Sequence, residues 1–196
     1  MELFTDWHTW PQAEPELRRL LPAATCDAVG DAVTFALRFH GDQKRPTGAP
    51  YAEHLLEAVE VLVRGAGVSD PGVLCAAVLH DVVEDTPCTI GGVRAAFGDR
   101  VADMVGWVTI PDAADGADKK AVKEAYLAGL TDAPDDAILV KLADRASNVQ
   151  TLRNLRLDKQ RDYYAQTVAY ILPLAASRGW WALWYASWEE AHRDLA

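Results

Sequence analysis

Val78–Leu79–His80–Asp81–Val82–Val83–Glu84–Asp85–Thr86 places one imidazole and three carboxyl groups within six consecutive positions, directly after the apolar run Pro71–Leu79. On an α-helix, residues four apart lie one above the other. A helix running through this stretch pairs His80 with Glu84 and Asp81 with Asp85. Pro71–Leu79 is apolar on every face, the mark of a buried helix, so the cluster is carried at the edge of the core. Three carboxyl groups this close raise one another's cost of ionisation, and a cation at their focus removes that cost. Read alone, the segment also fits a solvated helix end.

Outward from this centre the chain reads as helices. Asp70 or Ser69 caps the central helix, with Pro71 at the favoured first position. Upstream, Ala52–Arg64 forms a helix stopped by Gly65 and Gly67, with Leu55, Leu56, Val59, Leu62 and Val63 towards the core. Before it lies a basic, turn-rich loop, Asp42–Tyr51, and before that a helix capped by Thr25 or Asp27 and ending near Gly41. Residues 1–24 form an N-terminal arm packed by Trp7 and Trp10, with a short helix at Glu16–Leu21. Downstream, Thr89–Phe97 and Asp99–Val108 are helices separated by Gly98, and Ile110–Asp118 is a loop. Lys119–Leu130 is amphipathic, and Pro134 opens a helix that delivers Asp144 from an apolar stretch. Lys159–Ser177, kinked at Pro173, and Trp180–Asp194 complete the chain. Alternating β-type patterns are scarce, so the fold class is all-α, a single domain over 25–178 with an aromatic helix, 179–196, packed on it.

Half of the 196 residues are hydrophobic, and the net charge is −10. That charge argues against general binding to nucleic acid or to anionic membrane, so an anionic ligand requires a local basic patch or a metal. Met1–Asp6 has neither the basic nor the apolar region of a secretory signal, and no apolar run approaches a membrane span. Cys26, Cys75 and Cys88 show no CxxC spacing and leave one over, which fits unpaired thiols in the cytoplasm. Trp180, Trp184 and Trp188 recur every four residues as a packing stripe; the alternative is a face for a homo-oligomer. His8, His40 and His192 have no partners in the sequence.

Two further residues can join the centre. His54 lies near a helix start, and Asp144 lies where burial is costly without a cation or hydrogen bonds. Lys141 and Arg145 offer Asp144 a plain salt bridge, and His54 alone fits a hydrogen-bonded histidine. In combination, His54, His80–Asp81 and Asp144 on three helices resemble the metal-dependent phosphohydrolases of the HD type. Two imidazoles with two carboxylates suit manganese, iron or zinc better than calcium.

The flanking text resembles the hydrolase domain of the RelA/SpoT family. Phe39–His54 matches its opening, with Arg45, Thr47 and Gly48 before Pro50–Tyr51 and the first metal histidine. Leu79–Thr86 matches its second motif, and Lys141–Leu142–Ala143–Asp144–Arg145 with Asn148 and Thr151 its last. The likeness covers about Thr25 to Arg178, and no synthetase domain follows, as in the stand-alone small alarmone hydrolases. The resemblance implies an HD-type helical bundle that removes the 3′-pyrophosphate from guanosine tetra- or pentaphosphate with one Mn²⁺, other divalent metals being alternatives. His54, His80, Asp81 and Asp144 would hold the metal. Glu84 and Asp85 would jointly handle the proton of the attacking water. Lys44, Arg45, Thr47, Lys141, Arg145, Asn148 and Thr151 would contact substrate. Four departures bear on substrate recognition: Asp42 where glycine is common, Pro46 after Arg45 where a basic residue is usual, Ala146–Ser147 where Leu–His is common, and Gln150 where arginine is frequent. They leave open adenosine alarmones or NADPH as substrates. From another class comes a non-catalytic nucleotide binder that neutralises a partner synthetase.

Overall fold

Every regular element is helical, and the one β-type contact is an isolated antiparallel bridge between Lys44 and Pro50. The computed structural model describes residues 1–196. In chain order the helices are α1 (Trp10–Leu20), α2 (Ala23–His40), α3 (Tyr51–Glu60), α4 (Pro71–Leu79), α5 (Val82–Asp85) and α6 (Ile90–Val108). They continue with α7 (Lys119–Gly129), α8 (Asp135–Gln150), α9 (Leu157–Gln166), α10 (Leu172–Ala175) and α11 (Trp180–His192).

α4 sits at the middle, in contact with α2, α3, α6 and α8. Its all-round apolar surface requires that position, and Val73 through Leu79 are all buried. The Asp70 carboxylate caps it by accepting from the Val73 N–H at 3.0 Å. Arg100 on α6 then bridges Asp70 and Asp136 at 2.9 and 2.6 Å, holding the starts of α4 and α8 together. Each large aliphatic side chain fully buried here contributes about 1.5–3 kcal/mol.

Several elements depart from the sequence expectation. α1 begins at Trp10 rather than Glu16, because Thr9 and Gln12 form a reciprocal capping box and Pro11 is tolerated in the first turn. α6, by contrast, keeps the expected division: two helical segments meet at a kink at Gly98, whose φ of 81° only glycine adopts freely. α3 runs into a π turn at Val61–Gly65. A second π turn, Thr167–Ile171, lies directly before Pro173, where the proline ring and missing N–H disrupt regular α-helical bonding.

The most consequential difference lies at the centre: α4 ends at Leu79, a turn occupies His80–Asp81, and α5 restarts at Val82. The helix expected to run on through Asp85 is therefore interrupted at His80–Asp81, although both residues keep right-handed helical backbone angles and the Asp85 N–H still donates to the Asp81 carbonyl at 2.9 Å.

The aromatic helix α11 is a packing element. Trp181, Trp184, Tyr185 and Trp188 are buried, and Trp184 Nε1 donates to the Glu2 carbonyl at 2.9 Å. Trp188 Nε1 donates to the Val149 carbonyl at 3.0 Å, and the Tyr185 hydroxyl to that of Leu142 at 2.7 Å. The stripe that raised a homo-oligomer faces inward. All three cysteines are free and buried, and no helix is long and apolar enough to cross a membrane.

Candidate metal centre and substrate cavity

Three mutually packed helices deliver the central residues: α3 brings His54, the end of α4 brings His80 and Asp81, and α8 brings Asp144. The two imidazole Nε2 atoms stand 3.0 Å apart. Asp81 Oδ2 is 3.0 Å from His80 Nε2 and 3.3 Å from His54 Nε2, and Asp144 Oδ1 is 3.6 and 3.5 Å from the same atoms. Both histidines are almost fully buried.

The outer ring nitrogens decide what the inner ones can do. His80 Nδ1 is 2.7 Å from the Ala77 carbonyl, which can only accept, so this nitrogen carries a hydrogen. His54 Nδ1 is 2.9 Å from Ser147 Oγ, and the Ser147 hydroxyl in turn donates to the Glu57 carboxylate. His54 Nδ1 is therefore the donor to Ser147 as well. In their neutral forms both rings turn Nε2 lone pairs towards each other and towards two carboxylates, an arrangement that calls for positive charge at the focus.

The titration of these groups points the same way. Burial opposes charge on His54 and His80, but the Asp81 and Asp144 carboxylates outweigh it and hold both imidazoles above the usual histidine range. Burial likewise opposes ionisation of both carboxyls. For Asp81 the His80 and His54 rings outweigh it, and for Asp144 the Lys141 ammonium leads, so both stay below the usual range. The donor set of two nitrogens and two carboxylate oxygens fits a divalent metal; His54, His80 and Asp81 alone bring ligand atoms within 4.8 Å of one another.

Each carboxylate has further partners, Lys141 at the outer oxygen of Asp144 and Tyr51 and Asn148 at the inner oxygens, Asp81 Oδ2 and Asp144 Oδ1. The Tyr51 hydroxyl donates to Asp81. Lys141 Nζ lies 2.8 Å from Asp144 Oδ2, and Asn148 Nδ2 donates to Oδ1 at 2.6 Å. Asp144 thus has both the salt bridge and the place at the centre that the sequence offered as alternatives. Lys141, expected at the substrate, is the counter-ion of Asp144. His40, for which the sequence suggests no role, stacks on Tyr51 with ring centroids 4.7 Å apart and donates from Nδ1 to Gln43.

Glu84 and Asp85 border the same space. Glu84 accepts from the Ile110 N–H at 2.9 Å, and burial pushes its carboxyl above the usual range. Asp85 accepts from Gln43 Nε2 at 2.9 Å. With Asp81, Asp144, Lys141 and Arg145 they line an inner cavity of about 170 Å³. It adjoins an outer cavity of about 400 Å³ lined by Arg45, Pro46, Thr47, Asn148, Thr151 and Lys159 among others; Tyr51, His54, Lys123, Asn148 and Tyr163 border both. Arg145 Nη1 is buried with no hydrogen-bond partner, and its guanidinium lies over the Tyr163 ring at 5.2 Å. Arg45 is fixed by Glu57, Nη1 to Oε2, at 2.8 Å.

Lys44 is exposed and lines neither cavity; its peptide is tied instead into the bridge with Pro50. The remaining sequence-predicted residues border one cavity or the other, apart from His80, which lies behind them at the metal cluster. Sequence reasoning missed Lys123 and Tyr163. Burial lowers the Lys123 ammonium below its ordinary pKa, and the nearby Arg145 and Lys141 charges lower it further. It also missed Glu57 and Ser147. For Tyr51 the signal was present in the Pro50–Tyr51 pair.

Residues 32–181 match the family model described as HD domain. The chain belongs to the HD domain family. Among its relatives is the guanosine-3′,5′-bis(diphosphate) 3′-pyrophosphohydrolase of Aquifex aeolicus, 34% identical over 172 residues that make up 87% of this chain and 24% of that protein. The bifunctional (p)ppGpp synthase/hydrolase SpoT of Escherichia coli K12 is 35% identical over 166 residues, 83% of this chain and 23% of that protein. The HD-domain chain thus spans about a quarter of the length of these curated relatives. A solved structure described as a metazoan ortholog of SpoT that hydrolyzes ppGpp superposes with a TM-score of 0.77 at 26% identity, covering 89% of this chain and 98% of the other.

Proposed function

We propose that this HD-domain protein hydrolyses guanosine tetra- or pentaphosphate, releasing the 3′ substituent as pyrophosphate, with one divalent metal held by His54, His80, Asp81 and Asp144. The observation that carries the reading is the pair of Nε2 atoms facing each other at 3.0 Å beside two buried carboxylates. The mixed nitrogen and oxygen set favours Mn²⁺, with iron and zinc as alternatives. The likeness to the Aquifex pyrophosphohydrolase and to the ppGpp-hydrolysing metazoan ortholog of SpoT supports the substrate class. Three unpaired buried thiols fit a cytoplasmic protein.

A bound divalent metal would acidify water and neutralise charge on the phosphoryl oxygens. The chain's own residues supply the rest. Glu84 and Asp85 accept the proton of the attacking water at a carboxylate oxygen, and burial, by raising the Glu84 carboxyl, favours its holding that proton. The water oxygen bonds to phosphorus as the bond between that phosphorus and the ribose 3′ oxygen breaks, and the departing oxygen takes up a proton. Arg145, with a free buried N–H, and Lys123 receive the anionic end of the substrate. Asn148 holds Asp144 and Tyr51 holds Asp81 in place throughout. Thr47 and Thr151 line the outer cavity, where base and ribose lie.

A second reading keeps the reaction and changes the base. Arg45 is engaged by Glu57 and is followed by Pro46, so the outer cavity offers guanine no free guanidinium from this loop. An adenosine alarmone or NADPH fits that observation. Parallel incubation of the Mn²⁺-loaded protein with ppGpp, ppApp and NADPH, reading pyrophosphate and phosphate, tests both. Pyrophosphate from ppGpp alone supports the first reading. Product from ppApp or NADPH alone supports the second. Nucleotide binding without product overturns both, in favour of a non-catalytic role towards a partner synthetase.

A further inference from the structure

His54 sits at the end of a buried hydrogen-bond chain that starts in the substrate loop. Arg45 Nη1 donates to Glu57 Oε2 at 2.8 Å, the same oxygen accepts the Ser147 hydroxyl, and Ser147 Oγ lies 2.9 Å from His54 Nδ1. Ser147 is fully buried and Glu57 nearly so. A glutamate this deep in α3 is costly unless its charge is balanced, and Arg45 is the cation that balances it.

The chain has a polarity that only a carboxylate at position 57 enforces. An ionised carboxylate accepts and cannot donate. Ser147 must therefore give its one hydrogen to Glu57, which leaves its oxygen free only to accept from His54. The hydrogen of a neutral His54 ring is thereby kept on Nδ1 and the lone pair of Nε2 is kept at the centre. Were Ser147 to donate to His54 instead, the hydrogen would move to Nε2 and block that nitrogen as a ligand.

We propose that Ser147, Glu57 and Arg45 are positioning residues that set the tautomer of His54, so that Arg45 acts on the metal site even when no substrate is present. The inference rests on the metal-site reading above and goes beyond it by giving Arg45 a task other than touching the nucleotide. Groups that hold a ligand histidine by its outer nitrogen typically change metal affinity about 10- to 100-fold when removed.

The test is a titration of metal-free protein with Mn²⁺ or Zn²⁺ in the absence of nucleotide, followed by calorimetry. Glu57→Gln keeps size and shape but lets the side-chain amide donate to Ser147, reversing the polarity. It is expected to weaken metal binding about 10- to 100-fold. Arg45→Ala should weaken it in the same direction, whereas a residue that only touches substrate would raise KM and leave metal affinity unchanged. Circular dichroism confirms that each variant is folded, and Ser147→Thr, which keeps the hydroxyl, should bind metal more tightly than Ser147→Ala. In the metal-free protein, at a pH where the His54 ring is neutral, ¹⁵N-histidine spectra should show the hydrogen on Nδ1, and on Nε2 in Glu57→Gln. Wild-type affinity in folded Glu57→Gln or Arg45→Ala overturns the inference while leaving the metal site intact. Failure of the unaltered protein to bind any divalent metal overturns the underlying reading instead.

Discussion

α8 separates two buried regions that solve the same problem in opposite ways. Towards α11 it presents the Leu142 and Val149 carbonyls, which accept from Tyr185 and Trp188, and the large rings fill the space between. The Trp184, Tyr185 and Trp188 donors of that aromatic seam all end on backbone carbonyls, so these rings leave no polar group facing a common point. Towards α3 and α4 the same helix presents Asp144 and Ser147. There the outer ring nitrogens are satisfied by Ala77 and Ser147, while the two inner imidazole nitrogens face each other and two carboxylate oxygens that also accept from Tyr51 and Asn148. Burial of polar atoms alone therefore does not mark a functional site. What marks it is a set of acceptors fixed by their neighbours and turned towards a common point.

The sharpest way to break this contrast is to remove one of the inner acceptors. Asp81→Ala should reduce pyrophosphate release to the uncatalysed background and abolish the response of stability to metal. In the unaltered protein, metal at 100 times its Kd should stabilise the fold by about 2.7 kcal/mol, read as a shift in the denaturant midpoint. The variant should show no such shift. Full activity in Asp81→Ala, or an undiminished response to metal, would place the ligand set elsewhere.

The corresponding cut in the seam should do the reverse. Trp188 is fully buried and is held by its Nε1 bond to the Val149 carbonyl. Trp188→Ala should cost about 3–5 kcal/mol by loss of packing and the cavity left behind. Metal affinity, measured in protein kept well inside the folded baseline, should stay close to that of the unaltered chain. A large loss of affinity without a loss of stability would show that the seam and the cluster are one cooperative unit rather than two neighbours across α8.

The two regions also differ in how far they could be read from the chain. The seam announces itself by period, since tryptophans four apart on a helix share a face. His80, Asp81 and Asp144 were legible because histidine and aspartate are rare at the end of apolar stretches such as Pro71–Leu79 and Ile138–Ala143, the latter broken only by Lys141. His54 was legible only in combination with them, through the family resemblance. The turn at His80–Asp81 was not legible, because neither glycine nor proline marks it. Glu57 was invisible for a related reason. A charged residue within a helix reads as solvent-facing, and nothing nearby in sequence names Arg45 and Ser147 as its partners. Lys123 could not be told from Lys119 and Lys120 until α7 had a position against the cavity.

The smallest expected effect lies at the edge of the seam and sharpens its definition. Gly65 ends the π turn after α3, and a Cβ there would stand 2.5 Å from the Trp180 ring and 2.9 Å from that of Phe4. Neither ring is the free end of a flexible chain: Phe4 is fully buried and packs edge-on against Trp180, with centroids 5.7 Å apart. Overpacking of this kind costs about 1–3 kcal/mol, while replacing glycine by alanine in a helical segment returns up to about 1 kcal/mol. Gly65→Ala should therefore lower the urea midpoint modestly, with activity and metal affinity unchanged. A rise in the midpoint would mean that Trp180 swings aside at no cost, so that the closed seam begins at Trp181 and Trp180 belongs to its mobile rim.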